Sequence, residues 1–341
     1  MGILVVIGMT SIKKILVIRL SSIGDIILTT PLLRRLHTAY PEARIDYCTK
    51  QPFRSLLASN SRLSLIYTTD RFPTEQYDLV IDLQNNHRSR VLVRSLNGGQ
   101  KFRYRKENWK KWLMVKFKIN CYSSSQSIVA RYQDAIKELG VPDDLQGCEL
   151  YLSSLEKAFA VPYFEGGRKT LALCFGAKHF TKRYPQKRYA ALISLLLAQM
   201  PLRILLLGGK EDAIQASEIM NTLPVVYRPE VVNLAGSCSL METAALLAQC
   251  DAVLSNDTGL MHMASAFSKK LFVLFGSSSS VFGFLPYQTP FELFEVAGLP
   301  CRPCSHIGRD HCPKGHFRCM NDLSETLIAQ TILDHFKGVK S

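Results

Sequence analysis

The stretch KKILVIRLSSIGDIILTTPLLRRL, residues 13–36, decides the fold class. It opens with an apolar run typical of a buried strand and closes with leucines spaced for one face of a helix. The polar loop between them holds Ser22, Gly24 and Asp25. This loop is either a plain turn with a carboxylate in a helix first turn, or a ligand-binding loop at the carboxyl end of a parallel strand. Strand followed directly by helix predicts a parallel sheet with crossover helices.

The same alternation continues along the chain and restarts once. Strand-like runs occupy 43–49, 63–69 and 77–83 in the first half, and a segment at 155–169 has the proline, glycine and mixed charge of a linker. Five further runs follow, at 170–177, 202–209, 231–236, 250–257 and 269–276. This pattern predicts an α/β protein of two Rossmann-like, doubly wound parallel-sheet domains, residues 1–160 and 161–341.

A helical segment is predicted near the end of each half. The stretch 127–140 reads as one helix that stops at Gly140, and the last helix, 322–336, is expected to open with a capping box of Asp322 and Glu325. Packing of this last helix back on the N-terminal domain is compatible with the prediction.

Composition excludes several classes of protein. With 47% apolar and 21% charged residues the chain is typical of globular proteins, and no apolar stretch approaches the roughly 18 residues that a membrane span needs. The opening MGILVVIGM lacks the basic flank of a signal peptide. Ten cysteines without an export signal indicate reduced thiols, and we expect a cytoplasmic protein.

The positive charge of the chain is concentrated in one segment. A net charge of +14 indicates acidic partners, and KFRYRKENWKKWLMVKFK at 101–118 carries eight lysines and arginines against the single acid Glu107. Such a run is often a solvated face. Aromatic residues interleaved with the cations favour a contact surface here.

Three loops after predicted strands carry side chains that suit a nucleotide-bearing ligand. In SNDTGLMHMASAF, residues 255–267, Asp257 and the free N–H groups of Thr258 and Gly259 suit sugar hydroxyls or phosphate, although an ordinary N-cap has the same composition. His262, one turn later, faces either the ligand or the core. The other two loops supply Thr181 and Lys182, a cation for a diphosphate, and Glu211, an acid for ribose hydroxyls.

Several nucleotide-binding and metal-binding motifs are absent from the sequence, which disfavours the enzyme classes that depend on them. The chain lacks G-x-G-x-x-G and G-x-x-x-x-G-K-[ST], which disfavours a dehydrogenase and a P-loop enzyme. It also lacks a D-x-D pair for a metal on a nucleotide diphosphate, so we expect no catalytic metal and no cofactor. The spacing C-x2-C-x7-C-x6-C, from Cys301 to Cys319, permits either a structural zinc site or reduced cysteines that pack a loop.

These motifs together resemble the family 9 glycosyltransferases, the ADP-heptose:lipopolysaccharide heptosyltransferases, and most of all their heptosyltransferase II branch. The resemblance rests on RLSSIGDIILTTPLLRRL, KRYP, GGKED and NDTGLMHMASA. It implies a GT-B fold with the two domains facing a cleft, and metal-independent, inverting transfer. It also implies that Asp25 is the general base, Lys182 the phosphate-binding lysine, Glu211 the nucleotide-side acid and Asp257 the sugar-binding aspartate.

The resemblance further implies an ADP-heptose donor and a glycolipid acceptor of the Kdo-lipid A type. We expect the acceptor to be bound in the N-terminal domain by Ser22 and Gly24 and by cations of the basic segment, and the enzyme to lie peripherally at the inner face of the inner membrane, with no nucleic acid partner. The expected acceptor-binding cations are Arg103, Arg105, Lys110 and Lys111.

Two alternatives remain open from the residues. One is a GT-B transferase that uses another nucleotide sugar. The other is a non-catalytic polyanion-binding protein, which would bind through its basic segment without need of Asp25 or Asp257.

Overall fold

A computed structural model of the protein describes residues 12–122 and 126–339. The chain divides into two compact units. The first holds the described residues up to Lys106 together with Val129–Gln146, and the second holds Glu107–Ile128 and the residues from Gly147 onward. The chain therefore passes between the units more than once. The opening segment, for which the sequence disfavours a signal peptide, lies outside the described residues.

The first unit is built around a five-stranded parallel sheet in the order β3-β2-β1-β4-β5. Its strands are β1 (Lys14–Ile18), β2 (Arg44–Thr49), β3 (Leu65–Thr68), β4 (Leu79–Asp82) and β5 (Gln100–Arg103). Its helices are α1 (Ile23–Ile27), α2 (Thr30–Ala39) and α3 (His87–Arg94), and α5 (Ile128–Asp134) returns the chain to this unit after an excursion through α4 (Asn108–Phe117) in the second.

The second unit is built around a six-stranded parallel sheet in the order β11-β10-β9-β6-β7-β8. Its strands are β6 (Thr170–Cys174), β7 (Arg203–Leu207), β8 (Val231–Asn233), β9 (Ala252–Asn256), β10 (Lys270–Phe275) and β11 (Phe291–Glu295). Its further helices are α6 (Ser154–Ala160), α7 (Gln186–Leu197), α8 (Ala213–Thr222), α9 (Leu240–Gln249), α10 (Gly259–Ser265), α11 (Arg318–Asn321) and α12 (Glu325–Lys337).

Each sheet reverses its strand order at one place. In the first unit the reversal falls between β1 and β4, and in the second it falls between β6 and β9. Loops at the carboxyl ends of such strand pairs are the usual ligand-binding positions in open α/β sheets. Asp25 follows β1, Lys182 follows β6 and Asp257 follows β9 directly.

The prediction of two doubly wound parallel sheets is confirmed. Every predicted strand is present, because the central strands are buried on both faces and read as continuous apolar runs. The sequence reading missed β5 and β11. Both are edge strands, and their sequences QKFR and FELFE mix polar with apolar residues because one face and one edge are less buried.

Helix boundaries differ from the prediction at three places. The predicted helix 127–140 is two pieces, α5 and a short 3-10 turn that ends before Gly140, whose φ is +64°. The predicted linker begins with α6. The capping box of Asp322 and Glu325 is wrong, because α12 begins one turn later: Ser324 is its N-cap and accepts a hydrogen bond from Leu327 N at 3.2 Å.

The last helix belongs to the core of the second unit. On α12, Ile332 and Leu333 are fully buried and pack with Leu192 and Ile193 of α7 in one apolar cluster that covers a face of the six-stranded sheet. Among the described residues, no helix is both long enough and apolar enough to cross a membrane.

We expect Leu333→Ala to lower the free energy of unfolding by about 2–5 kcal/mol, because it removes a fully buried side chain from a packed core. Leu327→Ala, on the same helix but 60% exposed, is the matched control and should change it by less than about 0.5 kcal/mol. Urea denaturation of both variants measures the difference. Equal effects would show that α12 contributes little to this core.

Candidate functional site

Asp25 lies in the first turn of α1, just beyond the carboxyl end of β1. One carboxylate oxygen, Oδ1, lies 2.6 Å from Nη2 of Arg19. The other, Oδ2, accepts hydrogen bonds from the backbone N–H and the hydroxyl of Ser22, at 3.0 and 2.9 Å. With its side chain 18% exposed, Asp25 keeps a path to solvent while both oxygens are held in place.

Arg19 is a rigid partner for this carboxylate. Its Nη1 donates to the carbonyl of Leu83 at 2.7 Å and its Nε to that of Ser21 at 2.8 Å, and the guanidinium lies 5.7 Å from the centre of the Tyr132 ring. Each of the three guanidinium nitrogens therefore makes a polar contact, which fixes the group that faces Asp25. The sequence reading missed Arg19, although a cation at the end of an apolar strand was the available signal.

The groups around Asp25 determine its charge. Burial by itself raises the pKa of the Asp25 carboxyl, but the Arg19 charge and the Ser22 hydrogen bonds outweigh burial and hold the pKa below its usual value of 3.8. Asp25 is thus ionised at neutral pH. Its ionised form stabilises the folded unit above pH 3.8, and that stabilisation is lost as the pH falls through the lowered pKa.

The other predicted acceptor residues are divided between the two units. Gly24 is buried within α1, while Arg103 and Arg105 are exposed in and just after β5 in the first unit. The structure adds a lysine that the sequence reading did not select. Lys106 is partly buried, and both that burial and the Arg19 charge lower its pKa, against which the Asp82 and Asp25 charges act.

Lys110 and Lys111 lie on α4, in the second unit. The ammonium of Lys110 pairs with Glu107 and lies 5.5 Å from the centre of the Tyr122 ring. No residue of α4 is fully buried, and Trp109 and Trp112 are each more than half exposed. The basic segment thus comprises one strand end in the first unit and one helix in the second.

In the second unit, Lys182 and Asp257 form an ion pair. Nζ of Lys182 lies 2.7 Å from Oδ2 of Asp257, with side-chain exposures of only 15% and 6%. Asn256 brings the two loops together: its Nδ2 donates to the carbonyl of Phe175 at 2.6 Å, and its Oδ1 accepts from the backbone N–H of Tyr184 at 3.3 Å. The buried Asn256 therefore joins the ends of β6 and β9, and sequence reasoning did not identify it.

The residues after Asp257 begin α10. Thr258 is its N-cap, and the buried Thr258 hydroxyl has no hydrogen-bond partner among the described residues. Gly259 is the first helical residue, so its N–H group is one of the free donors of a helix N-terminus. His262 is 4% exposed and its ring contacts Phe284 edge-on, at 6.4 Å between ring centres.

Thr181 supports the loop from within. It is buried, and its hydroxyl oxygen accepts from the backbone N–H of Arg309 at 2.8 Å and from the hydroxyl of Ser277 at 2.9 Å. These contacts connect the loop of Lys182 to Ser277 after β10 and to Arg309 after β11. They make Thr181 a support of that loop, with its hydroxyl oxygen as the acceptor in both contacts.

The GGKED loop after β7 holds one exposed acid and one buried acid. Glu211, the predicted ribose partner, is exposed. Asp212 is buried and accepts from the N–H of Gly209 at 3.0 Å, and its Oδ1 has no hydrogen-bond partner among the described groups. Burial raises the pKa of Asp212. Gly176 lies against it, and a Cβ there would come within 2.1 Å of Oδ2 of Asp212, so a larger residue at 176 would displace that carboxylate.

The four clustered cysteines are free thiols that line one narrow cavity. Burial, followed by the neighbouring thiols, raises the pKa of Cys319 to about 12, and burial raises that of Cys304. Within residues 12–122 and 126–339, no three histidine, cysteine or acidic side chains are placed together to hold a metal ion.

We expect Arg19→Gln to raise the pKa of Asp25 by about 1 to 3, because burial is then opposed only by Ser22. Carboxyl carbon NMR titration measures the change, with Asp25→Asn to assign the resonance. Arg54→Gln, an exposed arginine of the same unit, is the control and should leave that pKa unchanged. An unaltered pKa in Arg19→Gln would show that the ion pair does not determine the charge of Asp25.

Comparison with known proteins gives relatives of similar length. The chain is 28% identical over 306 residues to lipooligosaccharide heptosyltransferase 2 of Haemophilus influenzae, covering 81% of this chain and 85% of that protein. Two solved structures share the fold over nearly the whole chain. A family 9 glycosyltransferase of Veillonella parvula matches with a TM-score of 0.77 at 19% identity, covering 95% of this chain and 98% of the other.

The second structure is the ADP-heptose LPS heptosyltransferase II of E. coli, with a TM-score of 0.69 at 24% identity over 94% of this chain and 100% of the other. These structural matches support the GT-B prediction for the fold. Residues 70–312 match the family model described as glycosyltransferase family 9 (heptosyltransferase). Since that region is more than half of the chain, this protein belongs to glycosyltransferase family 9, as its sequence motifs predicted.

Proposed function

We propose that this chain is an inverting, metal-independent heptosyltransferase that moves heptose from ADP-L-glycero-D-manno-heptose to the inner core of lipopolysaccharide. The observation that carries the proposal is the ionised Asp25, held by Arg19 and Ser22 at the strand-order reversal of the first sheet. Family membership and the similarity to lipooligosaccharide heptosyltransferase 2 of Haemophilus influenzae support the donor and acceptor classes.

In the proposed reaction Asp25 is the general base. A hydroxyl of the acceptor attacks the anomeric carbon of the heptose while Asp25 takes its proton, and the bond to ADP breaks on the opposite face. The configuration at that carbon is therefore inverted. The ion pair with Arg19 keeps Asp25 free of a proton at neutral pH, and the Ser22 contacts fix the direction of its oxygens.

The second unit binds the donor in this proposal. Lys182 exchanges its partner Asp257 for the diphosphate and offsets the negative charge that grows on the leaving ADP, while Asp257 accepts from sugar hydroxyls. The N–H groups at Thr258 and Gly259 add donors at the start of α10, and the exposed Glu211 accepts from ribose hydroxyls. His262, which is buried against Phe284, lies on the same helix, α10.

The acceptor is bound through cations and through the loop of Asp25. Ser22 and Gly24 form the loop, and the lipid-linked acceptor brings carboxylates and phosphates to the basic residues. The exposed tryptophans and lysines of α4 suit peripheral contact with an anionic membrane at the inner face of the inner membrane. The proposed acceptor-binding cations are Arg103, Arg105, Lys110 and Lys111.

We expect the purified protein to release ADP from ADP-heptose in the presence of a Kdo-lipid A type acceptor, with EDTA present. Asp25→Asn should lower kcat by about 10²- to 10⁴-fold, because the base is lost, and should leave the Kd for ADP unchanged. Continuous detection of ADP measures kcat, and calorimetry measures the Kd for ADP.

Asp70→Asn, at an exposed aspartate of the same unit, is the control and should have full activity. Full activity of Asp25→Asn would remove Asp25 from the mechanism. Turnover of a different nucleotide sugar alone would change the donor, and salt-sensitive polyanion binding without turnover of any donor would favour the non-catalytic alternative.

Lys182→Gln should raise the Kd for ADP about tenfold or more, because a charged contact to the diphosphate is lost. This variant leaves Asp257 buried without its cation, so the double variant Lys182→Gln/Asp257→Asn is included to restore a neutral pair. Lys187→Gln, an exposed lysine five positions later, is the control. Calorimetric titration with ADP measures all three, and an unchanged Kd in both Lys182 variants would exclude the diphosphate contact.

A further inference from the structure

Two sequence features outside the proposed transfer chemistry meet at one pocket in the second unit. The carboxyl-terminal half of α4 forms one wall, and the cysteine-containing segment after β11 forms the other. The pocket has a volume of about 790 Å³, and all of its lining residues belong to the second unit. That volume is within the usual range for a site of a small organic ligand, about 300–1,000 Å³.

The charge of this pocket has one sign. No carboxylate lines it among the residues that the structure describes, so its polar lining is dominated by ammonium and guanidinium groups. The cationic side chains of the lining are Lys116, Lys118, Arg309, Lys314 and Arg318. This contrasts with Lys182, whose charge is neutralised by Asp257.

Some of these cations are structural and others are available to a ligand. Lys118 donates to the carbonyls of Val115 and Pro303, at 2.8 and 2.6 Å, and so connects the two walls. Arg318 pairs with Asp322 at 2.7 Å. Lys116 and Lys314 are exposed, and neither makes an ion pair with a carboxylate in the described part of the chain.

An aromatic ring lies beside the cations. Trp112 is 53% exposed and is held edge-on by Phe117, with 5.2 Å between ring centres. Nζ of Lys116 lies 5.2 Å from the centre of the Trp112 ring. An exposed indole face next to unpaired ammonium groups suits a ligand that carries its negative charge on a larger organic group.

We propose that this pocket binds a phosphate ester, with the phosphate between Lys116, Lys314 and Arg309 and the attached group against Trp112. A phosphate ester carries enough charge and enough acceptor oxygens for several cations at once, which a single carboxylate does not. The site shares no residue with Asp25, Arg19 or the Lys182–Asp257 pair. The proposal therefore adds a binding site to the transfer reaction, and it deepens the membrane contact proposed for α4, on which it rests, by naming a phosphate ester as the group that Trp112 and Lys116 contact.

The two tryptophans of the chain, Trp109 and Trp112, both lie on α4, so tryptophan fluorescence can report on this pocket alone. In Trp109→Phe, Trp112 is the single emitter. We expect a saturable change in its fluorescence with N-acetylglucosamine 1-phosphate and none with N-acetylglucosamine or with sulfate at equal ionic strength. Vesicles of phosphatidylglycerol, compared with phosphatidylcholine, test whether a lipid headgroup supplies the phosphate ester instead.

In the Trp109→Phe protein, the further substitutions Lys116→Gln and Lys314→Gln should raise the Kd for N-acetylglucosamine 1-phosphate about tenfold or more, because two charge-assisted contacts are lost. Adding Lys157→Gln and Lys337→Gln removes the same charge from the exposed surfaces of α6 and α12 and should leave the Kd unchanged. A response to phosphatidylglycerol alone, lost in the pocket variant, supports the proposal with a lipid as the source.

Three results would overturn the proposal. They are no response to either phosphate source, equal loss in the pocket and control variants, and an equally strong response to sulfate. Because ADP is itself a phosphate ester, a pocket-dependent response to ADP that exceeds the sugar phosphate response supports the proposal, with a nucleotide as the source of the phosphate. Because Asp25 and Lys182 are intact throughout, failure here is distinct from failure of the transfer reaction.

Discussion

Two parallel strand pairings, β1 with β4 and β6 with β9, determine where the candidate site residues lie. Each pairing is the point at which the strand order of its sheet reverses. The loops that follow the two strands therefore diverge, and a space for a ligand opens at the carboxyl edge of the sheet. The Asp25 loop follows β1 at the first reversal. At the second, the loops of Lys182 and Asp257 meet, and the buried amide of Asn256, at the end of β9, bonds to Phe175 just after β6 and to Tyr184 in the loop of Lys182.

Both candidate sites hold a carboxylate beside a cation, but the two pairs are built differently. Arg19 is fixed by two carbonyls and a tyrosine ring, which suits a permanent partner that keeps Asp25 ionised. Lys182 has a flexible stem and a single charged partner, Asp257. A lysine of this kind can exchange one anion for another, as the proposed binding of a diphosphate requires, whereas the guanidinium of Arg19 is held at all three of its nitrogens.

Local sequence was sufficient for the fold because its main signals are local. The central strands are continuous apolar runs, and each ends in a short loop of small and polar residues before a helix, so periodicity alone places them. The edge strands β5 and β11 lack that signal. The start of α12 depended on which of several polar residues capped the helix, and only the backbone of the folded chain selects Ser324 over Asp322.

The sequence by itself determined the two doubly wound sheets, the family and the loops that carry Asp25, Lys182, Glu211 and Asp257. Tertiary structure decided which groups face one another: that Arg19 opposes Asp25, that Asp257 pairs with Lys182, that Thr181 is a support, and that α4 meets the segment after β11. The physical reason is the range of the interactions. Apolar periodicity and turn chemistry act between residues near in sequence, whereas the charge and the hydrogen-bond partners of a side chain depend on neighbours that only the folded chain brings within a few ångströms.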